Sequence, residues 1–341
     1  MTTARAYVMR PDDAPAYWQI RNLWHIMATG IQTGGSFCAI DQINTDGGGP
    51  PTHYHTQDEG MYIINGHCSY NAAGEQLPAG SGTFIGIPKY VEHSFKVDAP
   101  GTQFLNFYLP AGFEMLLMGL AVPAERNELP TLEDKVPLPP RKLVEQLSRD
   151  YGAVPVIALP FADHPAPDNM VTKPTVASTV KPFIANLQTA PTYWYAGGLW
   201  SVLADAVSTD HSYTLFEQLM PRGPAAAPHL HEWMDEVFYI LDGDADFLLG
   251  DRVENAIKGS MVFIPRGTVH GFGVNSETAR FLNLYTPAGM ERMVVGLGEH
   301  TEVRELPASD WSPPTMSDEH RALLFEDLGM RPVAVAETFK Q

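Results

Sequence analysis

One pattern is written twice in this chain, and that duplication limits what it can fold into more than any other feature. Trp24 stands inside LWHIMATGIQTGGSFCAIDQ and Trp200 inside LWSVLADAVSTDHSYTLFEQ, an offset of 176. HYH at 53–55 returns as HLH at 229–231 with the same offset. Beyond it the offset is 177: Gly66 returns as Gly243, Pro88 as Pro265 and His93 as His270, and FLNFYLPAGFE from Phe104 returns as FLNLYTPAGME from Phe281. A single inserted residue between HxH and the next Glu explains the step. Two homologous domains of about 150 residues each fit a 341-residue chain.

Each copy reads as short strands. GMYIING, SGTFIGIP and QFLNFYLPAG are rich in β-branched and aromatic residues and bounded by Gly, Pro and Asn, as are EVFYILDG, GSMVFIP and RFLNLYTPAG. Many short strands with frequent turn signals predict an all-β chain of two antiparallel barrels or sandwiches. A short helix closes each copy. Leu143, Val144, Leu147 and Tyr151 share one face of the first, and Leu323, Leu324 and Leu328 are assigned to one face of the second. Ser317 or Asp318 is the expected N-cap of the second helix and Gly329 its stop. Domains are expected at 1–152 and 191–341, joined by a Pro-rich linker at 153–190, and residues 121–140 read as a further surface connection.

With 22 basic and 40 acidic residues the net charge is −18, which argues against binding nucleic acid or an anionic membrane. No run of 18 apolar residues is present, so no spanning helix is expected. The first residues carry acids and prolines where a signal peptide needs an apolar run, so a cytoplasmic location is expected, with Cys38 and Cys68 as free thiols.

The chemistry lies in the histidines. Six of twelve fall into two matched sets: His53, His55, Glu59 and His93, then His229, His231, Glu236 and His270. Residues i and i+2 of a strand share a face, so each HxH aims two imidazoles into one barrel. A Glu just downstream and a His on another strand can close around one ion. Three imidazoles and a carboxylate suit Fe, Mn, Co, Ni, Cu or Zn and commonly leave positions open for catalysis. The expected cofactor is therefore a divalent transition metal (Fe, Mn, Ni, Co or Cu), one or two per chain. Gln57 and Asp58 are fallback ligands in the first set. By period-2 alternation Met61, Ile63 and Phe95 share the inner face with Glu59 and His93, and Phe238, Ile240 and Phe272 do so in the second copy. Gly86 aligns with Phe263, and if that position points inward the first barrel has more room for an aromatic ligand. His25, His67, His164, His211, His300 and His320 lack ligand spacing and read as surface or capped residues, and Trp194 and Trp200 read as packing.

These motifs, Gly47-x5-HxH-x3-Glu-x6-Gly66 with His93 after Gly82 and Pro88, and Gly223-x5-HxH-x4-Glu-x6-Gly243 with His270 after Gly259, Pro265 and Gly267, resemble the two cupin motifs. The doubled chain resembles a bicupin, two jelly-roll β-barrel domains with metal motifs at 47–97 and 223–274. Its flanks, TGGSFCAIDQ with GGGPPTHYH and PAGFEMLLMGL with PAGMERMVVGLG, resemble the quercetinase-like dioxygenases. That resemblance implies that the three His and one Glu of each copy hold a redox-active metal, and that Glu59 and Glu236 act as catalytic bases. It implies a metal-dependent dioxygenase that cleaves a C–C bond in an aromatic or enolisable, flavonol-like hydroxy-ketone, with the substrate and O2 as partners and a homodimer left open. A cupin lyase, isomerase or decarboxylase using the metal as a Lewis acid, and a non-catalytic ligand-binding bicupin, are the alternatives. The sequence departs from the motif at Tyr90, where the second Gly belongs, and at Val97 and Val274, where Asn is common.

Overall fold

A computed structural model describes residues 4–155 and 178–334, so His164 and most of the expected linker lie outside the described residues. The chain divides into two compact units, Asp12–Asn186 and Met1–Pro11 with Leu187–Gln341. Both are antiparallel β-structures closed by short helices, in line with an all-β chain of two cupin domains.

In the first unit a large sheet runs Val122–Pro123, Ala16–Gln19, Asn22–Ala28, Cys38–Asn44, Thr102–Leu109, Asp58–Asn65, Thr83–Ile87 and Phe183–Asn186. A smaller sheet runs Val154–Pro155, His53–Tyr54, His93–Val97, His67–Ala72 and Glu75–Gly80. Met61, Ile63, Ile85, Ile87 and Phe104 from the large sheet meet Tyr70, Ala72 and Val97 from the small one in a buried core, with Phe95 packed against it. The alternation is the expected one, and it leaves the odd face of Asp58–Asn65 pointing inward with Glu59 at its head. Gly60, on the other face, has no room for a side chain: a Cβ there would lie 2.1 Å from the ring of Phe107.

The second unit is one 11-stranded sheet folded over on itself, in which the long strands Thr214–His231 and His270–Thr286 pair with each other. Phe216, Phe238, Ile240, Phe247, Val262, Ile264 and Phe281 fill its core, with Phe272 against them.

Two terminal arms differ from the expected boundaries. Tyr7–Met9 pairs with Met261–Ile264 and so belongs to the second unit. Phe183–Asn186, placed by sequence in the linker, pairs with Thr83–Ile87 as the edge strand of the first unit. These pairings are long-range, and a periodicity search sees only local order. They also correct the expectation for Gly86. Ile85 and Ile87 fill the core, while Gly86 faces Phe183, whose ring would lie 2.4 Å from an added Cβ. Phe263 meets Tyr7 instead, with ring centroids 5.7 Å apart. The small residue makes way for the arm and adds no space inside the barrel.

The closing helices are Phe113–Gly119 and Arg141–Asp150 in the first unit, and Glu291–Leu297 and Asp318–Asp327 in the second. Leu147 and Tyr151 pack onto Cys38, Tyr108, Phe113 and Leu116. Ser317 caps the last helix by accepting from the His320 N–H at 3.2 Å. Leu324 and Leu328 face the core, but Leu323 is exposed, because a step of about 100° turns it off their line. After each final helix the chain turns at Gly152 or Gly329, with φ of +75° and +62°. It then lays a short strand, Val154–Pro155 or Met330–Pro332, on the HxH strand. These glycines keep the offset of 177, so the duplication runs through the closing helices. Among the described residues no helix is long and apolar enough to cross a membrane.

Candidate metal centres

Each HxH strand pairs with the strand that begins at the distant histidine: His53 is opposite His93, and His229 is opposite His270. The Glu comes from another strand, in the first unit one of the large sheet, Asp58–Asn65, and in the second Asp235–Asp242. His229, His231, Glu236 and His270 bring one ligand atom each within 4.8 Å of one another, and His53, His55 and His93 do the same. Glu59 completes the first set from the side, its Oε2 lying 3.0 Å from Nε2 of both His55 and His93. Glu236 Oε2 lies 2.8 Å from His270 Nε2 and 3.4 Å from His231 Nε2.

Backbone carbonyls set the imidazole tautomers. His53 Nδ1 donates to Pro51 O at 2.8 Å, His55 Nδ1 to Gln57 O at 2.9 Å and His93 Nδ1 to Val91 O at 2.8 Å. His229 Nδ1 and His270 Nδ1 likewise donate to Ala227 O and Thr268 O, both at 2.8 Å. With Nδ1 so engaged, Nε2 is left as the free ligand atom directed at the cluster.

The carboxylates are anchored from behind. Asn106 Nδ2 donates to Glu59 Oε1 at 2.8 Å, Gln42 donates to Asn106 Oδ1 at 3.3 Å, and the Tyr108 hydroxyl also donates to Asn106 Oδ1. In the second unit Asn283 Nδ2 donates to Glu236 Oε1 at 3.0 Å and Gln218 donates to Asn283 Oδ1 at 2.5 Å. Here the Tyr285 hydroxyl reaches the carboxylate itself, at 2.5 Å from Oε1. Sequence reasoning gave these residues no role, although Asn106 and Asn283 sit in the repeated FLN-F/L-Y and Gln42 and Gln218 end the repeated IDQ and FEQ. Their recurrence in register was the available signal.

The fallback ligands serve otherwise. Gln57 offers its carbonyl to His55, and the Asp58 carboxylate accepts from the Lys89 N–H at 2.9 Å. Asp235 binds Arg266 N–H and guanidinium in the same way. Tyr90 keeps the turn of the glycine it replaces. Its φ is +67° beside +80° at Gly267, and both amides donate to the carbonyl of the second HxH histidine, at 2.8 and 2.7 Å. The other described histidines stand apart from the clusters: His25 is buried against Asn127, and His67, His211, His300 and His320 are exposed. Trp200 packs in the core, edge-on to Phe216.

Burial first, then the neighbouring imidazoles, pushes His53 and His229 down to about 3. Burial also lowers His55. Burial alone would raise both carboxylates, but the two imidazoles against each one win and hold Glu59 and Glu236 well below the usual carboxylate range. His53, His55 and His229 are thus kept neutral and Glu59 and Glu236 ionised, the forms in which these groups bind a divalent cation. His93 Nε2, His231 Nε2, His270 Nε2 and Glu236 Oε2 are buried without hydrogen-bond partners. Buried polar atoms are costly when unpaired, and one cation in each cluster would satisfy them.

Comparison with known proteins agrees. The cupin domain model matches residues 42–103 and 215–285. Quercetin 2,3-dioxygenase of Bacillus subtilis is 21% identical over 298 residues, 87% of either chain. Acetate kinase EutQ of Clostridioides difficile is 33% identical over 92 residues, 25% of this chain and 57% of that protein. Among solved structures, a deletion mutant of Bacillus subtilis oxalate decarboxylase superposes with a TM-score of 0.56 at 16% identity, covering 84% of this chain and 78% of that one. A structure of that enzyme described by its Mn(II) centres gives 0.56 at 15%, covering 85% and 79%. With a cupin domain matched in each half and a His/Glu cluster in each barrel, the chain carries two cupin domains and is similar over most of its length to a quercetin dioxygenase.

Proposed function

We propose that this chain is a metal-dependent dioxygenase that opens a C–C bond of an aromatic or enolisable hydroxy-ketone of flavonol type. The observation that carries this reading is the buried His3Glu cluster of the second barrel and the three-histidine cluster of the first, with Glu59 against two of its imidazoles, set among apolar and aromatic side chains and joined to similarity with a quercetin dioxygenase over 87% of the chain. A divalent metal held by His53, His55, Glu59 and His93, or by His229, His231, Glu236 and His270, supplies the polarising charge and the redox capacity. The protein supplies the rest. In the first barrel the ring of Phe113 lies 4.6 Å from that of His55, Tyr108 lies 5.5 Å from it, and Tyr70 stacks parallel to His93. Such walls orient a flat ligand and exclude water.

Glu59 Oε1 is tied to Asn106, so the carboxylate pivots about a fixed point and Oε2 is the atom that meets substrate. Ionised at neutral pH, Oε2 accepts the proton of the substrate hydroxyl. The electron-rich enolate so released reduces O2, and both oxygen atoms enter the cleaved product. Glu236 Oε2, with Oε1 held by Asn283 and Tyr285, stands in the same relation to the second cluster.

The test is oxygen uptake by metal-loaded protein supplied with flavonols, with Glu59→Gln and Glu236→Gln in parallel. One O2 consumed per flavonol lost, and a fall of at least about 100-fold in one or both variants, supports the reading. Flavonol left intact overturns it. Decarboxylation of a small carboxylate without net oxygen uptake replaces it with the Lewis-acid alternative, which the oxalate decarboxylase fold match makes the next substrate class to assay.

A further inference from the structure

The one-residue step in the repeat falls inside the metal site. HYH-TQD-E in the first copy becomes HLH-EWMD-E in the second. In the shorter loop the carbonyl of Gln57 lies 2.9 Å from His55 Nδ1 and fixes that ring. In the longer loop no carbonyl takes its place: His231, 1% exposed, has neither Nδ1 nor Nε2 hydrogen-bonded among the described residues. The loop instead carries Trp233 outward over Gly329, where the indole lies 2.2 Å from where a Cβ would be. It also ties Glu232 to Arg331 at 3.1 Å.

Two further differences point the same way. His231 Nε2 stands 3.4 Å from Glu236 Oε2, where His55 Nε2 stands 3.0 Å from Glu59 Oε2. The Phe113 ring against His55 has Met290 as its counterpart in the repeat. His55 is therefore held by a carbonyl and two aromatic rings, while among the described residues the one ring contact of His231 outside its own cluster is with the edge of Tyr285, at 5.5 Å.

We infer that His231 is an unlocked ligand, and that the second barrel holds its divalent ion more loosely than the first, releasing a coordination position there by rotation of His231. Partners on the far nitrogen of a metal-bound imidazole fix its tautomer and orientation, and losing one typically costs about 10–100-fold in metal affinity. The inserted residue is thus a device that makes twin sites unequal. This rests on the metal-dependent reading above.

The full chain, loaded with Mn(II), is mixed with excess chelator, and release is followed by the Mn(II) resonance signal. Two equivalents should leave in two phases, the fast one at least about tenfold quicker. His229→Gln should abolish the fast phase and His53→Gln the slow one. Deleting Trp233 should slow the fast phase, and Met290→Phe, which leaves the loop intact, should slow it in part. Two equivalents leaving at one rate, or a fast phase that survives His229→Gln and vanishes in His53→Gln, would overturn the inference while leaving the metal reading standing. A chain that takes up no Mn(II) overturns both.

Discussion

Acid should unfold the metal-free protein from its two clusters outward. Each of His53 and His229 takes its proton near pH 6.5 in the unfolded chain and only near 3 when folded. Between those values the unfolded state binds more protons, so stability is complete above pH 6.5 and drains away as pH falls. For a group moving from 6.5 to about 3, the loss relative to pH 7 is about 0.7 kcal/mol at pH 6 and about 1.9 kcal/mol at pH 5. His55, also lowered by burial, adds in the same direction. One such loss in each unit should lower its melting temperature by about 4–8 °C between pH 7 and pH 5. The assay is urea unfolding of chelator-treated protein at pH 7, 6 and 5, compared with His53→Asn and His229→Asn. The slope should flatten in the unit that carries the substitution. Equal stability at pH 7 and pH 5, or a slope untouched in the double variant, would refute the assignment of neutral, desolvated imidazoles.

Other outcomes follow from single contacts. Gly86→Phe should destabilise the first unit by about 2 kcal/mol or more through collision with Phe183, and Phe183→Ala should recover part of it, as read from denaturant midpoints. Asn106→Leu removes the amide donor to Glu59 Oε1 and should cost about 2–3 kcal/mol. Asn283→Leu should cost less, about 1 kcal/mol, because Tyr285 still donates to Glu236, and equal losses would contradict the difference between the two networks. Gly267→Tyr imposes on the second copy the left-handed residue the first already carries at Tyr90, and should lower the unfolding free energy by about 1–2 kcal/mol.

Much of this was legible from residues alone because the chain states its pattern twice. The gathering of the candidate His and Glu side chains at one place in each barrel, the inward faces of Met61, Ile63 and Phe238, and the two barrels all follow from register and period. What escaped was of two kinds. The arms Tyr7–Met9 and Phe183–Asn186 pair with strands far away in sequence, and nothing in their own residues names the partner. Gly86 was readable as internal space only because its neighbour Phe183 was unknown. The supports of the ligands also escaped, being backbone carbonyls, which have no sequence identity, and the amides Asn106 and Gln42, whose polarity suggested no role inside a barrel. The step in the offset was visible throughout, but its meaning needed the orphaned nitrogen of His231.

The arm at Tyr7–Met9 imposes an order of events on the growing polypeptide. It is made before every other described strand, yet its complement Met261–Ile264 follows only about 250 residues later. The barrel around His53 has all its described strands once Asn186 is made, so it can close and capture an ion while the other is still being synthesised. Throughout that interval the leading strand lacks the partner for its amides and carbonyls, which leaves it open to mispairing.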